Sequence, residues 1–127
     1  MQNRKIALVI DDSETNRTIF SSFLKERGYQ AVCVNDGEAG LAKFKEINPF
    51  LTFLDIIMPK KSGLDLLKEI KTINPNAIVV MVSSYVSKQT ISQAKHDHAD
   101  WFLMKPVSKE KFYAVMDKFE KKQETVS

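Results

Sequence analysis

The residues best suited to chemistry in this sequence each follow a short apolar segment. Asp11 and Asp12 follow the segment 6–10, and Asp55 follows the segment 50–54. Ser83 and Ser84 follow 77–82, and Lys105 follows 101–104. If these segments are parallel strands, their carboxyl ends meet at one edge of a sheet. We therefore expect carboxylates, hydroxyls and an ammonium group from distant parts of the chain to lie together there.

Such a cluster has a constrained chemistry. Two carboxylates about 4 Å apart repel by roughly 4 kcal/mol at an effective dielectric constant of about 20, so three of them need a cation or a bound proton. Oxygen ligands without thiolate or imidazole favour a hard ion, and a site with room for water and a phosphate suits Mg²⁺ better than Ca²⁺. Metal, ammonium, hydroxyl and a carboxylate able to attack phosphorus are together what a phosphoryl group needs.

Each of these residues also has a purely structural interpretation. An acidic pair such as Asp11–Asp12 often caps a helix, and Ser83 can begin a turn. Lys105 can be a solvated strand end, and the proline after it either marks a loop or fixes a cis bond that orients the lysine. Asp55 differs, because it lies between the apolar stretches FLTFL and IIMP, where an unpaired charge is unfavourable. The inference depends on the joint placement of these residues.

The segments that must position this cluster have the pattern of buried strands. Short runs rich in apolar and β-branched residues recur at 6–10, 31–34, 50–54, 77–82 and 101–104. The runs are continuous rather than alternating, as in strands covered on both faces of a parallel sheet. Segments with helical spacing lie between them, which predicts an α/β domain of the doubly wound type.

The helical segments differ in how much apolar surface they carry. Most have a broad stripe, as in Phe112, Val115, Met116 and Phe119 of the last segment. The segment at 88–97 has only Ile91 and Ala94, so we predict that it packs weakly. It is either a marginal surface helix or an element free to shift or to meet a partner.

Length and composition indicate one soluble domain. The 127 residues are 43% hydrophobic and 28% charged, and the apolar runs are too short to cross a bilayer. The N-terminus lacks a secretory signal, which predicts a cytoplasmic protein without a membrane partner. A net charge of +3 with dispersed lysines argues against direct binding of nucleic acid. The single cysteine, Cys33, is expected to be a small buried hydrophobe.

The chain from about Lys5 to Phe119 resembles the receiver domain of two-component response regulators, in the CheY-like superfamily. The resemblance rests on five stretches in order, which are VIDDSETNR, GYQAVCVNDGEAGL, FLDIIMPKKSGLDLL, VVMVSS and FLMKP. It implies a flavodoxin-like fold with a five-stranded parallel sheet in the order 2-1-3-4-5. The domain is expected at 4–122, followed by a polar tail at 123–127.

The resemblance also implies roles for the site residues. Asp55 would accept a phosphoryl group from a phosphohistidine on a sensor histidine kinase or a histidine phosphotransfer protein. Asp12 and Asp55 would bind Mg²⁺, for which Mn²⁺ can substitute. Asp11 would bind it directly or through water, and the backbone carbonyl of Ile57 would complete the protein ligands. Lys105 would bind a phosphoryl oxygen.

The same resemblance implies a switch. The hydroxyl of Ser83 would move toward the phosphoryl group, and the ring of Phe102 would turn inward as it does so. The surface of the fourth helix, fifth strand and fifth helix would report this change to a downstream protein whose identity the sequence does not give.

Several positions depart from the family pattern. Ser84 stands where alanine or glycine is common, puts a second hydroxyl near the path of the phosphate and is counted among the residues that tune the site. His98 replaces a frequent glycine where left-handed backbone is plausible. Ile57 and Tyr85 occupy positions that tune the lifetime of the phosphoryl group, and neither is well suited to orient a hydrolytic water. We therefore expect a comparatively long-lived acyl phosphate. The stretch HDH at 96–98 is interpreted as a solvated corner rather than a metal site.

Three classes of function are compatible with these residues. The leading one is a phosphorylation-switched signalling module, which is not an enzyme beyond its own phosphorylation and dephosphorylation. Because the residues after Phe119 are few and polar, it is expected to act through binding unless it is a piece of a longer regulator. A phosphatase with Asp55 as nucleophile normally has a second acid two residues on, where this chain has Ile57. A receiver-like module that is never phosphorylated is disfavoured by the full acid, hydroxyl and lysine set.

Overall fold

The computed structural model describes the backbone of residues 3–126 and the side chains of residues 5–121. Within this range five strands alternate with five helices. In chain order they are β1 (Asn3–Ile10), α1 (Glu14–Glu26), β2 (Gln30–Val34), α2 (Gly37–Ile47), β3 (Pro49–Asp55), α3 (Gly63–Ile73), β4 (Ile78–Ser83), α4 (Lys88–His96), β5 (Trp101–Met104) and α5 (Lys109–Val126).

The strands form one parallel sheet in the order β2-β1-β3-β4-β5, which confirms the predicted fold class. The chain leaves β1 toward β2 on one side and leaves β3 toward β4 on the other. This reversal opens a crevice outside the carboxyl ends of β1 and β3, the place where open α/β sheets bind ligands. Asp11 and Asp55 lie at those two ends.

The sheet separates two apolar clusters of described residues. On one face α1 and α5 pack against it through rings such as Phe20 and Phe112. On the other face α2, α3 and α4 do so through residues such as Phe44, Leu67 and Ala94. The central strand β3 is buried along its whole length. It therefore gives Asp55 a rigid support from both sides.

The two edge strands depart from the predicted burial on both faces. In β2 and β5 several residues are exposed, among them Cys33, Trp101 and Met104. The expectation that Cys33 is a buried hydrophobe was therefore wrong. The reason is that β2 has a neighbouring strand on one side only, and β-branched composition does not reveal which strands lie at an edge.

The helix ends follow the sequence signals closely. Side-chain oxygens at the N-cap positions accept a backbone N–H three residues on, at Ser13, Asp36, Ser62 and Ser87. Gly28 follows α1 with φ 80°, and Asn48 ends α2 with φ 43° just before Pro49. His98 has φ 70°, which confirms the left-handed backbone expected there.

The last two helices bear on the remaining predictions. Of the nine residues of α4 only Ala94 is buried, which confirms the weak packing predicted for this segment. The helix α5 reaches Val126. The predicted tail at 123–127 has its side chains outside the described residues, and the boundary between domain and tail stays a prediction. Among the described residues, no helix has the length and apolar character that a membrane span needs.

Candidate functional site

Three carboxylates meet at the carboxyl ends of β1 and β3. Asp11, Asp12 and Asp55 each offer an oxygen, and these oxygens lie within 4.8 Å of one another. Asp11 and Asp55 are 2% and 4% exposed, whereas Asp12 is exposed to solvent. Among side chains 5–121 this is the group whose residue types and spacing could hold a metal ion. The HDH stretch at 96–98 is not part of such a group. The predicted convergence of the acids is confirmed.

Lys105 supplies the positive charge of the cluster. Its Nζ lies 3.0 Å from Asp11 Oδ2 and 3.4 Å from Asp55 Oδ2. The backbone N–H of Lys105 donates to the carbonyl of Ser83 at 2.8 Å, which links the ends of β4 and β5. The peptide bond to Pro106 is cis. The lysine side chain is 18% exposed. Its ammonium group lies between two buried carboxylates and interacts with both.

The charges of this cluster do not balance. The pKa of Asp55 is raised to about 7: burial is the largest cause, the negative charge of Asp11 is the next, and Lys105 opposes both effects. Three carboxylates share the ammonium group of Lys105, so the negative charge of the cluster is in excess. Oxygen donors with an unbalanced negative charge fit a hard divalent cation, so the residues present are suited to Mg²⁺.

The backbone next to Asp55 is set by the start of α3. The N–H of Gly63 donates to the carbonyl of Ile56 at 2.8 Å. A Cβ at Gly63 would lie 2.1 Å from the carbonyl oxygen of Asp55 and 2.8 Å from Cα of Ile56. The N–H of Ile57 donates to Asp55 Oδ1 at 3.3 Å, which leaves Oδ2 toward Lys105. Only glycine therefore allows α3 to begin against the peptide that follows Asp55.

Sequence reasoning missed the residues that orient Asp11. The N–H of Ser13 donates to Asp11 Oδ1 at 2.8 Å, and the amide of Asn16 donates to Asp11 Oδ2 at 2.5 Å. The guanidinium of Arg17 donates to the backbone carbonyl of Asp11 at 2.7 Å. Asn16 and Arg17 stand in the stretch VIDDSETNR, but nothing in their spacing reveals that they turn back to the strand end.

The predicted switch residues lie near the cluster without all facing it. Ser83 is completely buried at the end of β4. Its hydroxyl donates to the carbonyl of Tyr85 at 2.8 Å and accepts from the N–H of Tyr85 at 3.2 Å, so it is engaged by its own loop. Phe102 is partly buried against the cluster that contains α3 and α4. The roles given to both residues stay predictions.

The residues predicted to tune the site lie on its outer rim. Ile57 is 57% exposed and Tyr85 is 65% exposed, and Ser84 is exposed as well. Ile57 follows β3 and Tyr85 follows β4, so two large exposed side chains stand just beyond the ends of neighbouring strands. Neither carries a group that orients a water molecule at phosphorus as well as a carboxylate or an amide does.

The family-model and sequence comparisons agree with this geometry. A family model described as the response regulator receiver domain matches residues 7–117. Response regulator RR06 of Streptococcus pneumoniae is 38% identical over 101 residues, which cover 80% of this chain and 46% of RR06. The chemotaxis protein CheY of Thermotoga maritima is 28% identical over 118 residues, which cover 92% of this chain and 98% of that protein. The chain thus spans about half of one relative and nearly all of the other.

Solved structures give the same result. A two-component response regulator from Clostridium difficile superposes with a TM-score of 0.90 at 25% identity, covering 94% of this chain and 98% of that one. A response regulator from Burkholderia pseudomallei superposes with a TM-score of 0.83 at 27% identity, covering 97% of this chain and 73% of that one. The Burkholderia structure contains a phosphorylated aspartic acid, a calcium ion and citrate.

Proposed function

The chain belongs to the response regulator receiver domain family of two-component signalling, and from that premise we propose that it is a phosphorylation switch whose phosphoacceptor is Asp55. Receiver domains of this family interact with histidine kinases or phosphotransfer proteins. The donor of the phosphoryl group would accordingly be a phosphohistidine on such a protein.

The observation that carries the proposal is the unbalanced carboxylate cluster around Asp55. Asp55 is buried, lies in the crevice between β1 and β3, and has Lys105 Nζ 3.4 Å from Oδ2. In the reaction this oxygen attacks phosphorus, the phosphorus–nitrogen bond of the donor breaks, and the histidine nitrogen keeps the electron pair. Lys105 offsets the negative charge on a transferred phosphoryl oxygen. The phosphorylated aspartic acid of the Burkholderia regulator is a precedent in the family.

Mg²⁺ is the cofactor that this site suits, and Mn²⁺ can replace it. Asp12 and Asp55 would bind the ion by side chain, together with the backbone carbonyl of Ile57.

Asp11 would bind the ion directly or through a water molecule. Its carboxylate already bonds to Ser13, Asn16 and Lys105, which favours binding through water. When bound, the ion neutralises the oxygens of the transferred group. The Burkholderia structure contains a calcium ion, which is a precedent for a divalent cation in a related protein.

The switch would start from Ser83. In the described state its hydroxyl is bonded within the loop at Tyr85. A phosphoryl group on Asp55 offers strong acceptor oxygens, so the hydroxyl would exchange its partner and draw the loop before α4 with it. Phe102 lies on the strand next to this loop and would turn inward. The weak packing of α4 makes such a movement inexpensive.

We place the output surface on α4, β5 and α5, and call it the output face. It displays Trp101 at 45% and Met104 at 59% exposure, both on the edge strand. Lys118 lies over the ring of Trp101 at 4.4 Å. Exposed large apolar side chains beside lysines suit a partner segment with apolar and acidic residues.

We further propose that Ile57 and Tyr85 give the phosphoryl group a long lifetime. Their exposed side chains border the site and supply no polar group that directs a hydrolytic water onto phosphorus. After labelling and removal of the donor, the label on wild type is expected to decay more slowly than the label on an Ile57→Asn variant. Equal or faster decay in wild type would contradict this proposal.

The central experiment is labelling with acetyl phosphate in the presence of Mg²⁺. We expect a base-labile, acid-stable adduct on the wild-type protein that disappears with EDTA and in Asp55→Asn. The matched control is Asp65→Asn, which removes an exposed carboxylate of α3 outside the cluster and should label normally. An adduct that persists in Asp55→Asn, or steady hydrolysis of phosphate esters that needs Asp55, would overturn the proposal.

A further inference from the structure

Lys105 has two tasks that compete once the site works as proposed. In the described state its ammonium group contacts both oxygens of Asp11, at 3.0 Å and 3.3 Å, and one oxygen of Asp55 at 3.4 Å. Under the proposed function the same group binds a phosphoryl oxygen and shares a small crevice with a divalent cation. Lys105 must then give up part of its contact with Asp11.

A buried carboxylate that loses its counter-charge is unfavourable unless other donors remain. Asp11 is 2% exposed, so water replaces a missing partner poorly. Two donors do not depend on Lys105. They are the N–H of Ser13 on Oδ1 and the amide of Asn16 on Oδ2. The Ser13 bond is made by the backbone, which leaves Asn16 as the one of the two set by a side chain.

We propose that Asn16 is a positioning residue of the phosphorylation site, because its amide keeps the Asp11 carboxylate in place. Lys105 can then leave Asp11 and bind a phosphoryl oxygen while a metal ion is bound nearby. The proposal rests on the proposed function. Asn16 acts through Asp11 and Lys105 and does not itself touch the reacting atoms.

The position of Asn16 suits this role for two reasons. Its backbone is fixed in the first turn of α1, because the N–H of Asn16 donates to the N-cap oxygen of Ser13 at 3.2 Å. Its amide is a neutral donor, so it satisfies Asp11 without adding a second positive charge that would repel the metal. Arg17 differs, because its guanidinium bonds to the backbone carbonyl of Asp11 and leaves the carboxylate untouched.

The test compares Asn16→Ala and Asn16→Leu with wild type. Alanine keeps the helix favourable and leucine keeps the approximate size of the side chain. Mg²⁺ binding to the unphosphorylated protein is measured by titration calorimetry, and labelling by acetyl phosphate gives the rate of phosphorylation. Because supporting hydrogen bonds to metal ligands typically contribute tenfold or more, we expect Mg²⁺ affinity and labelling rate each to fall about tenfold. Thr15→Ala, at the exposed neighbouring position of α1, is the matched control and should leave both unchanged.

A second arm tests the link to Lys105 by measuring Mg²⁺ affinity in a Lys105→Ala background. If Asn16 acts by freeing Lys105, adding Asn16→Ala there should change the affinity by less than about threefold, or raise it. A loss of about tenfold in both backgrounds would contradict the proposed coupling, as would wild-type affinity and labelling in the two single variants. A wild-type protein that neither binds Mg²⁺ nor takes up label would instead overturn the proposed function, and this inference with it.

Discussion

The helices α4 and α5 lie on opposite faces of the sheet beside the same edge strand, and they are anchored very differently. Along α5 a regular stripe of buried side chains packs against the sheet and α1, formed by Phe112, Val115, Met116 and Phe119. In α4 the corresponding stripe is reduced to Ala94. Of these two helices beside the same strand, α5 therefore removes more apolar surface from water than α4.

Polar contacts enlarge this difference. Arg27 at the end of α1 pairs with Asp117 at 2.6 Å and Glu120 at 2.7 Å, both on α5. The hydroxyl of Tyr113 donates to the carbonyl of Phe23 at 2.8 Å, again between the two helices. The side-chain hydrogen bonds of α4 instead join residues close in sequence, such as the amide of Gln93 and the carboxylate of Asp97. We infer that α5 is part of the scaffold. Moving α4 requires less free energy than moving α5, because fewer contacts must be broken.

The largest effect is expected at the centre of the α5 contact. The ring of Phe112 stacks on Phe53 with centroids 4.6 Å apart and contacts Phe20 at 4.8 Å. Phe112→Ala should lower the free energy of unfolding by about 3–5 kcal/mol, because it removes buried area and leaves a cavity. Urea denaturation measures this loss. A loss below about 1 kcal/mol would mean that α5 is no better anchored than α4.

Helix starts offer the next comparison, since α3 begins against the backbone of Asp55 whereas α4 begins after its partly buried N-cap Ser87. Gly63→Ala would drive a methyl group into the carbonyl of Asp55. We expect a loss of about 2–4 kcal/mol in denaturation and a labelling rate reduced at least about tenfold. Gly37→Ala is the matched control, because the first residue of α2 has only Lys61 side-chain atoms at 3.4 Å or more. Equal behaviour of the two variants would disprove the positioning role of Gly63.

The pH dependence separates charge from packing. In metal-free protein the pKa of Asp55 is raised to about 7 from an ordinary value near 3.8. The folded state then keeps a proton that the unfolded state releases, so this stability is present below about pH 4 and is lost as the pH rises through 7. In EDTA at pH 8, Asp55→Asn should be more stable than wild type by about 1–3 kcal/mol. Thermal melts should show this gain shrinking toward pH 4, whereas the loss in Phe112→Ala stays constant. A gain independent of pH would contradict the assignment to charge.

Breaking the polar link should have a smaller effect. Arg27→Ala removes the pairs with Asp117 and Glu120 and a guanidinium stacked over Tyr113 at 4.8 Å. Because the Arg27 side chain is 28% exposed, solvent weakens these pairs, and we expect a loss of about 1 kcal/mol. The loss should diminish in high salt. Lys43→Ala, which breaks an exposed pair within α2, should change urea denaturation much less.

The smallest effect is expected in α4 itself. Ile91 is partly buried and borders the groove beside Trp101 and Phe102. Ile91→Ala should lower the free energy of unfolding by less than about 1 kcal/mol, because the side chain is only partly removed from water and alanine favours the helix. Chemical denaturation beside Phe112→Ala gives the ratio of the two anchors. A loss comparable to that of Phe112→Ala would remove the basis of the comparison.

Much of this architecture could be predicted from the sequence because its signals are local. Continuous apolar runs fixed the strands to within a few residues, although β1 begins at Asn3 rather than residue 6. Cap residues such as Ser13 and Gly28 marked the ends of α1, and the thin stripe of α4 announced its weak packing. The acid cluster followed from topology, since parallel strands bring their carboxyl ends to one edge.

The features that sequence missed are those set by neighbours in space. Exposure of Cys33 depends on which strand lies at the edge, and composition does not encode that order. The hydrogen bond from the Ser83 hydroxyl to the backbone carbonyl of Tyr85 depends on the turn that follows β4. The bonds of Asn16 and Arg17 to Asp11 depend on how the first turn of α1 folds back over β1. Periodicity describes one element at a time, whereas these contacts join two.

The position of the single tryptophan has a practical consequence. Trp101 lies on the surface that we propose as the output face, 45% exposed and beneath the ammonium group of Lys118. Its indole is thus the chain's own optical probe, and its emission colour and intensity respond to water, to the nearby cation and to any molecule that covers the strand. Binding at that face can be followed in unlabelled protein, whereas chemistry confined to the acid cluster reaches the probe only when the motion spreads along β5.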